Sequence, residues 1–322
     1  MVISAVLAAL AAASNAFASV LQRYEARTAP SREAFRLALL RDLAHRPLWW
    51  WGIAGIIAGA VFQGAALLTG PLALVQPIMM VELPFTLLLA ALVFHHGLGR
   101  RAMAAVVGIT AGVVVLLVSV DPSGGTTEVR ASRWLAALPG IALGLVALIG
   151  IGRAVTGMAR AAALGMATAV MFALTAAFMK DATGRIPFGA AAFFTSWQLY
   201  ATCAAGLVAL FLLQNAYQAG TLVVAQPAVT VGDALVSLVL GVVLFEEELR
   251  LDGWWLAAAL LGLGLIIFGA VELSRSPLVS GVATPPDSAE VQRSSSPDSG
   301  QKPSDPADPE GFAGPDDPAA PP

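Results

Sequence analysis

The sequence predicts an all-α integral membrane protein: about nine transmembrane helices in two inverted repeats, one interfacial amphipathic helix and a disordered C-terminal tail. Three observations lead to this fold class. Of the 322 residues, 57% are hydrophobic and only 12% are charged, whereas a soluble domain carries about 25% charged residues. Nine apolar stretches are long enough to cross a bilayer. One of them is repeated later in the chain at a fixed interval.

The nine stretches are each about 18 residues or longer with few charges, which is typical of membrane-spanning helices. They cover residues 1–21, 50–69, 72–95, 102–120, 134–151, 161–179, 191–213, 221–245 and 253–271. The first stretch resembles a signal peptide around Ala16 to Ala18. It lacks a basic start, and Ser14 and Asn15 interrupt its apolar run, so we expect it to remain as a span.

The segment 22–49 contains six arginines that alternate with acidic residues, and so many charges cannot cross a bilayer. Its leucine and phenylalanine side chains lie partly on one side of a helix beginning near Ser31, where Ser31 and Glu33 favour a helix N-terminus. We expect this amphipathic helix to lie at the membrane interface. The three tryptophans at 49–51 then mark the return of the chain to the headgroup region.

The charges of the loops predict how the spans are oriented. One side collects eleven basic residues, those of segment 22–49 together with Arg100, Arg101, Arg153, Arg160 and Arg275. The other side collects five, namely Arg130, Arg133, Lys180, Arg185 and Arg250. The positive-inside rule assigns the richer side to the cytoplasm. We expect a multi-pass protein of the plasma (inner) membrane, with the N-terminus outside and the C-terminal tail in the cytoplasm.

The formal net charge of −3 divides unevenly along the chain. Residues 276–322 carry a net charge of −6 and residues 1–275 a net charge of +3. Eleven of the twenty prolines also lie in 276–322, a segment with too few apolar side chains to offset its chain entropy. We expect a polytopic membrane domain at 1–275 and a disordered, acidic, proline-rich tail at 276–322.

A shift of 150 residues superimposes part of the sequence on itself without a gap. The segment GPLALVQP at 70–77 aligns with GTLVVAQP at 220–227. Two further pairs match at the same shift: Arg100 with Arg250 and Gly112 with Gly262. Apolar matches arise easily between membrane helices, whereas Gln-Pro, Gly and Arg at one fixed shift do not.

The repeated segments belong to the third and the eighth spans, whose numbers differ by five, so the two copies cross the membrane in opposite directions. Inverted repeats of this kind are typical of secondary transporters, which bind their substrate near the midplane at the repeat interface. We expect repeat one at 1–120, a linking helix at 134–151 and repeat two at 159–272.

The segment GPLALVQP, the later QPAVTVGDALVS and the opening LQR followed by a polar segment resemble the drug/metabolite transporter superfamily, with its two inverted EamA-type repeats. The similarity is greatest to the NIPA-like branch of magnesium transporters and covers residues 1–272 in order and spacing. It implies a transporter domain at 1–275 that moves a small solute or cation. Many relatives carry Asp-Pro in the eighth span, whereas Asp233 is followed by Ala234 here.

Two carboxylates lie near the midpoints of predicted spans, Glu82 in the third and Asp233 in the eighth. A charge at the bilayer centre costs on the order of 3 kcal/mol on insertion scales, so such residues face a protein interior or a hydrated path. No lysine or arginine lies within any predicted span, so each acid must be protonated, hydrated or bound to a cation. We predict that both bind the transported species, as metal ligands if it is a metal. A protonated carboxyl group bonded to a backbone carbonyl is the alternative.

Polar side chains near these acids are further candidates for the same site. Four polar residues of the eighth span share one helix face: Gln226, Thr230, Asp233 and Ser237. The remaining candidates lie in the first three spans: Asn15, Gln63, Gln76 and Thr86. For these amides and hydroxyls, hydrogen bonding between helices is the alternative role.

Three prolines predict kinks in the third and eighth spans: Pro77, Pro84 and Pro227. Because proline has no N–H, Pro77 and Pro227 leave the carbonyls of Ala73 and Val223 without their helical donors. Such carbonyls serve as ligands in broken helices near a midplane site, and a packing kink is the alternative.

Three glutamates, 246–248, follow at the end of the eighth span. We expect them either to gather cations at the outer mouth of the transporter or to form a solvated cap before the next helix.

The remaining motifs argue against other function classes. One cysteine, Cys203, and three histidines give no disulfide framework and no Cys-based or His-rich metal centre. No phosphate-binding loop, catalytic triad spacing or basic aromatic surface is recognisable. We expect no enzyme activity, no bound cofactor and no nucleic-acid partner.

These patterns together predict a secondary transporter that works in the lipid bilayer by alternating access. Its substrate would be a small solute or cation, with Mg²⁺ or another divalent cation suggested by the resemblance and H⁺ as a coupling ion. A proton-coupled exporter of a small metabolite or drug is one alternative. A non-transporting scaffold whose tail recruits a partner is another. The sequence leaves open whether the protein forms a homodimer.

Overall fold

The fold is built from apolar helices of membrane length. A computed structural model describes residues 1–28, 47–93, 97–219 and 222–275. Within these ranges nine helical segments are long and apolar enough to cross a membrane. This confirms the prediction of an all-α, multi-pass membrane protein. Large apolar side chains such as Leu135 and Leu143 are exposed, which costs nothing where the surroundings are lipid.

The bounds of the helices are α1 Val2–Thr28, α2 Pro47–Thr69, α3 Leu72–Met79, α4 Glu82–Val93, α5 Arg100–Val120, α6 Ala131–Ala154, α7 Gly157–Gly184, α8 Ala190–Phe194, α9 Trp197–Ala219, α10 Leu222–Phe245 and α11 Trp254–Ser274. A 3₁₀ turn at Ile186–Phe188 precedes the short α8. Two short strands, β1 at Ser123–Gly124 and β2 at Glu247–Glu248, pair in an antiparallel ladder.

The two ends of the bundle are named here by residues at each end. The Met1 side is the end at which α1, α3, α6, α9 and α11 begin. The helices α2, α5, α7 and α10 finish there, and the β1–β2 ladder joins the end of α5 to the end of α10. The Arg275 side is the opposite end, where α11 finishes.

Two predicted segments lie wholly or partly outside the described residues. The segment 22–28 continues α1 to Thr28, and α2 begins at Pro47, so the rest of the predicted interfacial helix falls at 29–46, which the structure does not describe. The predicted tail at 276–322 is not described either.

The third predicted span, 72–95, consists of two helices instead of one. A tight turn separates α3 from α4, and Glu82 is the first residue of the new helix. Pro84 has no N–H to donate to the carbonyl oxygen of Met80, which instead accepts from the N–H of Leu83 at 3.1 Å. The break therefore lies in the middle of the span, directly before the acidic residue.

The two Gln-Pro steps do not interrupt their helices. Pro77 lies inside α3, and Pro227 lies inside α10, which runs continuously from Leu222 to Phe245. Pro227 is near the start of α10, so the carbonyl oxygen that it deprives of a donor, that of Val223, belongs to the first turn. The rest of the helix keeps its hydrogen bonds, and any bend at these steps is accommodated within a continuous helix.

The helix α7 extends beyond the predicted sixth span, which ended at residue 179. It continues to Gly184, and Lys180 within it is only 2% exposed. The prediction that no lysine or arginine lies inside a span is therefore wrong, as is the assignment of Lys180 to a loop. The physical reason is a buried carboxylate that pairs with Lys180, described below.

Similar helix pairs recur in the two parts of the chain. In the first part α1 packs against α2 and α4, and α4 packs against α5. In the second part α7 packs against α9 and α10, and α10 packs against α11. An extensive contact between α5 and α11 and a smaller one between α3 and α10 join the two parts.

The contact between α5 and α11 depends on glycines. Gly112 lies against the carbonyl oxygen of Gly262 and the side chain of Ile266, while Gly262 lies against the backbone of Leu116. A Cβ atom at Gly262 would come within 2.6 Å of the Leu116 nitrogen. Small residues allow membrane helices to approach this closely, so the glycines set the distance between α5 and α11.

We predict that Gly262→Ala lowers the melting temperature of the protein in detergent. The added methyl group would push α11 away from the α5 backbone, and overpacking of this kind typically costs about 1–3 kcal/mol. The matched control is Gly264→Ala on the same helix, because a Cβ atom there meets nothing within 4 Å. Thermal unfolding followed by size exclusion measures both variants. Equal melting temperatures for the two would contradict the close approach at Gly262.

Candidate functional site

Glu82 stands at the helix break in the third span. It is half-buried, and its Oε2 atom accepts a hydrogen bond of 3.3 Å from Nδ2 of Asn15 on α1. Asn15 lies against Gly59 of α2, where a Cβ atom would overlap its amide oxygen. The start of a helix favours a negative charge. The structure thus brings two predicted site residues together, at a position that suits a carboxylate.

Asp233 lies on α10, close to its packing surface with α7. Its Oδ1 atom accepts a long hydrogen bond of 3.5 Å from Oγ of Ser237. At the adjacent Gly232, Met166 and Ala169 of α7 leave no room for a side chain. Within the described part of the chain, Ser237 is the only polar side chain that binds the Asp233 carboxyl group.

The two carboxylates lie at similar depth in the bundle. The Cβ atom of Ala73 on α3 faces Gly241 on α10, which fixes the relative height of these two helices. Glu82 follows Ala73 by nine residues and Asp233 precedes Gly241 by eight. At about 1.5 Å per residue, both lie roughly 12–14 Å from this contact along their helices, near the midpoints of the spans Leu72–Val93 and Val223–Phe245.

The predicted polar face of the eighth span is largely satisfied within the protein. The Oε1 atom of Gln226 accepts a hydrogen bond of 2.5 Å from the hydroxyl group of Tyr217 on α9. Thr230 donates to the carbonyl oxygen of Gln226 at 3.0 Å, and in the third span Thr86 donates to that of Glu82 at 2.8 Å. Gln226 therefore makes the interhelical bond that was the alternative to a ligand role, and both threonines bond to their own helices.

The two remaining amides stay apart from the acids. Gln76 is buried in α3, at 4% exposure, and Gln63 is half-buried in α2. Neither amide makes a hydrogen bond to Glu82 or Asp233 among the residues that the structure describes. Across the same residues, no group of three or more His, Cys, Asp or Glu side chains could hold a metal ion.

A buried polar cluster that the sequence did not predict lies on the Met1 side. The Oε1 atom of Glu247 accepts hydrogen bonds from the N–H of Leu72 at 2.6 Å and from Nζ of Lys180 at 2.5 Å. Its Oε2 atom accepts from the N–H of Ala73 at 2.9 Å. The Lys180 ammonium group also lies 4.5 Å from the centre of the Phe245 ring. The Glu247 side chain is fully buried, and it satisfies the first amides of α3.

This cluster corrects the expectation for the glutamates 246–248. Glu246 has a φ of 57°, in the left-handed region, and its exposed side chain pairs with Arg133. Glu247 is buried, so it is neither a solvated cap nor a collector of cations in the outer mouth. Three identical residues in a row do not reveal which one is buried. The sequence feature that indicates a buried acidic partner is Lys180, because this lysine directly follows an apolar run.

A second cluster that the sequence did not predict surrounds Asp181, the next residue of α7. Its carboxylate accepts hydrogen bonds from the N–H of Val129 at 3.2 Å, from Nε1 of Trp134 at 2.7 Å and from Nε2 of Gln198 at 3.0 Å. Asp181 is fully buried. These bonds tie α6, α9 and the segment before α6 to α7, so the acid has a structural role.

Comparisons with known proteins found a relative of this chain but no activity. An uncharacterized protein of Corynebacterium glutamicum is 27% identical over 278 residues, which cover 84% of this chain and 95% of that protein. No family model matches the chain, and no solved structure matches it. Because the relative is itself uncharacterized, the comparison provides no substrate or mechanism.

We predict that Asp181→Ala lowers the melting temperature more than any change to an exposed acid on the same side. The substitution leaves three buried donors without an acceptor, at about 1–3 kcal/mol for each unsatisfied group. Asp252→Ala is the control, since Asp252 is exposed in the segment just before α11. Thermal unfolding in detergent measures both variants. A melting temperature of Asp181→Ala within one degree or so of the control would contradict the anchoring role.

Proposed function

We propose that the protein is a secondary transporter that carries a small solute or cation across the plasma membrane by alternating access. Its binding groups are Glu82 and Asp233, with Asn15 holding the first acid. The observation that carries this proposal is the similar depth of the two carboxylates in the bundle, near the midpoints of the third and eighth spans. Among the residues that the structure describes, each has one side-chain hydrogen-bond partner, so oxygen lone pairs remain for a ligand.

Two inverted repeats, at 1–120 and 159–272, belong to the same proposal. The recurrence of similar helix pairs in the two parts of the chain supports them. At the α5–α11 contact, Gly112 touches Ile266 and Leu116 touches Gly262. A shift of 150 residues converts each of these contacts into the other, as expected for a contact on a pseudo-two-fold axis. Rocking of one repeat against the other would then expose the acids to each side in turn.

Membership of the drug/metabolite transporter superfamily, near its NIPA-like branch, completes the proposal. It rests on the Gln-Pro segments in the third and eighth spans and on the order of the spans. Under this assignment the N-terminus lies outside the cell and the Met1 side faces outward, in agreement with the excess of basic residues on the other side.

A divalent cation such as Mg²⁺ suits the chemistry of the two acids. Mg²⁺ prefers oxygen ligands, keeps several waters and is often held by one or two carboxylates. A proton-coupled exporter of a small metabolite or drug is the second candidate. The single long hydrogen bond to Asp233 favours it, because a weakly held carboxyl group can exchange a proton for a ligand.

We predict that the double variant Glu82→Gln with Asp233→Asn abolishes transport, because it removes both charges while keeping side-chain size. Reconstituted liposomes would be assayed for Mg²⁺ uptake and for efflux of a cationic dye driven by a pH gradient. The assay that responds identifies the substrate class. Glu248→Gln, which removes an exposed acid outside the spans, should leave the flux within about twofold of the parent. Normal flux in a correctly inserted double variant would refute the site.

A non-transporting scaffold with a recruiting tail makes the opposite prediction for residues 276–322. We expect a chain that ends at Arg275 to transport at the rate of the full-length protein, because the proposed binding groups all lie before that residue. The flux of the two proteins in liposomes, at equal amounts of inserted protein, measures this. Loss of the cellular function on removal of 276–322, with no flux from either protein, would instead favour the scaffold.

A further inference from the structure

A polar cavity opens on the Met1 side of the bundle. Its volume is about 270 Å³. The cavity is lined by Met1, by residues 69–71 between α2 and α3, by residues 123–127 around β1, and by Lys180. Lys180 contributes little surface to it, at 2% exposure, and the fully buried Glu247 binds the same ammonium group. The ion pair therefore forms part of the inner wall of the cavity, on the side of the bundle interior.

The same ion pair joins three parts of the chain. Glu247 follows α10, Lys180 belongs to α7, and the amides of Leu72 and Ala73 begin α3. The helix α3 has eight residues, or about 12 Å, and the break before Glu82 follows its other end. The cluster thus lies between the polar cavity and the depth of the two central acids.

The contacts of the third span change at the helix break. The helix α1 packs against both α3 and α4, and α5 packs more extensively against α4 than against α3, whereas α10 packs against α3 on the Met1 side of the break. The third and eighth spans are therefore held together on the Met1 side, where Glu247 binds the start of α3 and a Cβ atom at Gly241 would overlap the Glu247 carboxylate.

From this arrangement we propose that the Lys180–Glu247 ion pair closes the Met1 side, and that it separates when a solute passes between the polar cavity and the central acids. The proposal rests on the transporter function proposed above. A buried ion pair loses the hydration of both partners, and separation in an opened path restores it. The electrostatic attraction lost on opening is thus largely offset by hydration of the two separated charges. This small net cost is required of a contact that forms and breaks in every transport cycle.

The charge chemistry gives this closure a distinctive response to substitution. Lys180→Met leaves a buried anion and Glu247→Gln leaves a buried cation, and either unpaired charge favours the open state, in which water reaches it. The double variant Lys180→Met with Glu247→Gln contains neither charge, and the glutamine oxygen can still accept from an amide of α3. The single variants should therefore open the Met1 side, and the double variant should close it again.

The test measures access to Ala73, which is fully buried on α3 beside Gly241. In a background of Cys203→Ser, Ala73→Cys is labelled by a membrane-impermeant maleimide in sealed vesicles with the Met1 side outward. We expect each single variant to label at least about tenfold faster than the parent. The double variant and the control Glu246→Gln, which removes the neighbouring exposed pair, should remain within about threefold of the parent.

Two results would overturn the closure. One is labelling of both single variants at the rate of Glu246→Gln. The other is a double variant that labels as fast as the single variants, since general unfolding of α3 would produce this pattern without any role for the charges. Labelling does not require transport, so it separates the two proposals. Normal flux in the Glu82→Gln, Asp233→Asn variant together with the expected labelling would refute the binding site alone.

Discussion

Polar groups inside this bundle must find partners within the protein, because hydrocarbon offers no hydrogen bonds. The segment after α10 meets this requirement for two helix ends of the first half. Glu247 binds the first two amides of α3, which a helix leaves without acceptors. Three residues later, Arg250 donates to two carbonyl oxygens in the last turn of α5. The short segment 246–250 thereby holds the start of the third span and the end of the fourth beside the end of α10.

The same requirement distinguishes structural polar residues from candidate ligands. Asp181 accepts three hydrogen bonds and Glu247 accepts two amides and a lysine, so both oxygens of each carboxylate have protein donors. Within the described ranges, Glu82 and Asp233 each accept one bond from a side chain, of 3.3 and 3.5 Å. Among these four acids, the two near the midpoints of their spans accept the fewest bonds, and these are the two that we propose bind the substrate.

Much of the fold could be predicted because apolar length alone determines whether a helix can cross a membrane. Nine spans follow from that rule, and Glu82 and Asp233 stand out because a carboxylate is costly within a span.

Hydrogen bonds and ion pairs between residues far apart in the sequence could not be predicted. Lys180 was assigned to a loop because its acceptor, Glu247, is far away in sequence and flanked by two identical residues. Gln226 was a ligand candidate because the bond from Tyr217 depends on how α9 packs beside α10. The break before Glu82 needed the consequence of Pro84 for the carbonyl of Met80.

The bond from the amide of Leu72 to Glu247 spans 175 residues of sequence, and this separation matters during synthesis. When α3 first enters the membrane, the acceptor for its leading amides has not yet been made, and neither has the lysine that accompanies it. The first amides of α3 therefore lack this acceptor until the ribosome has synthesised the end of α10 and the segment that follows it. Translation of that short acidic segment provides the missing acceptor, so the first half reaches its final structure only after most of the second half has been made.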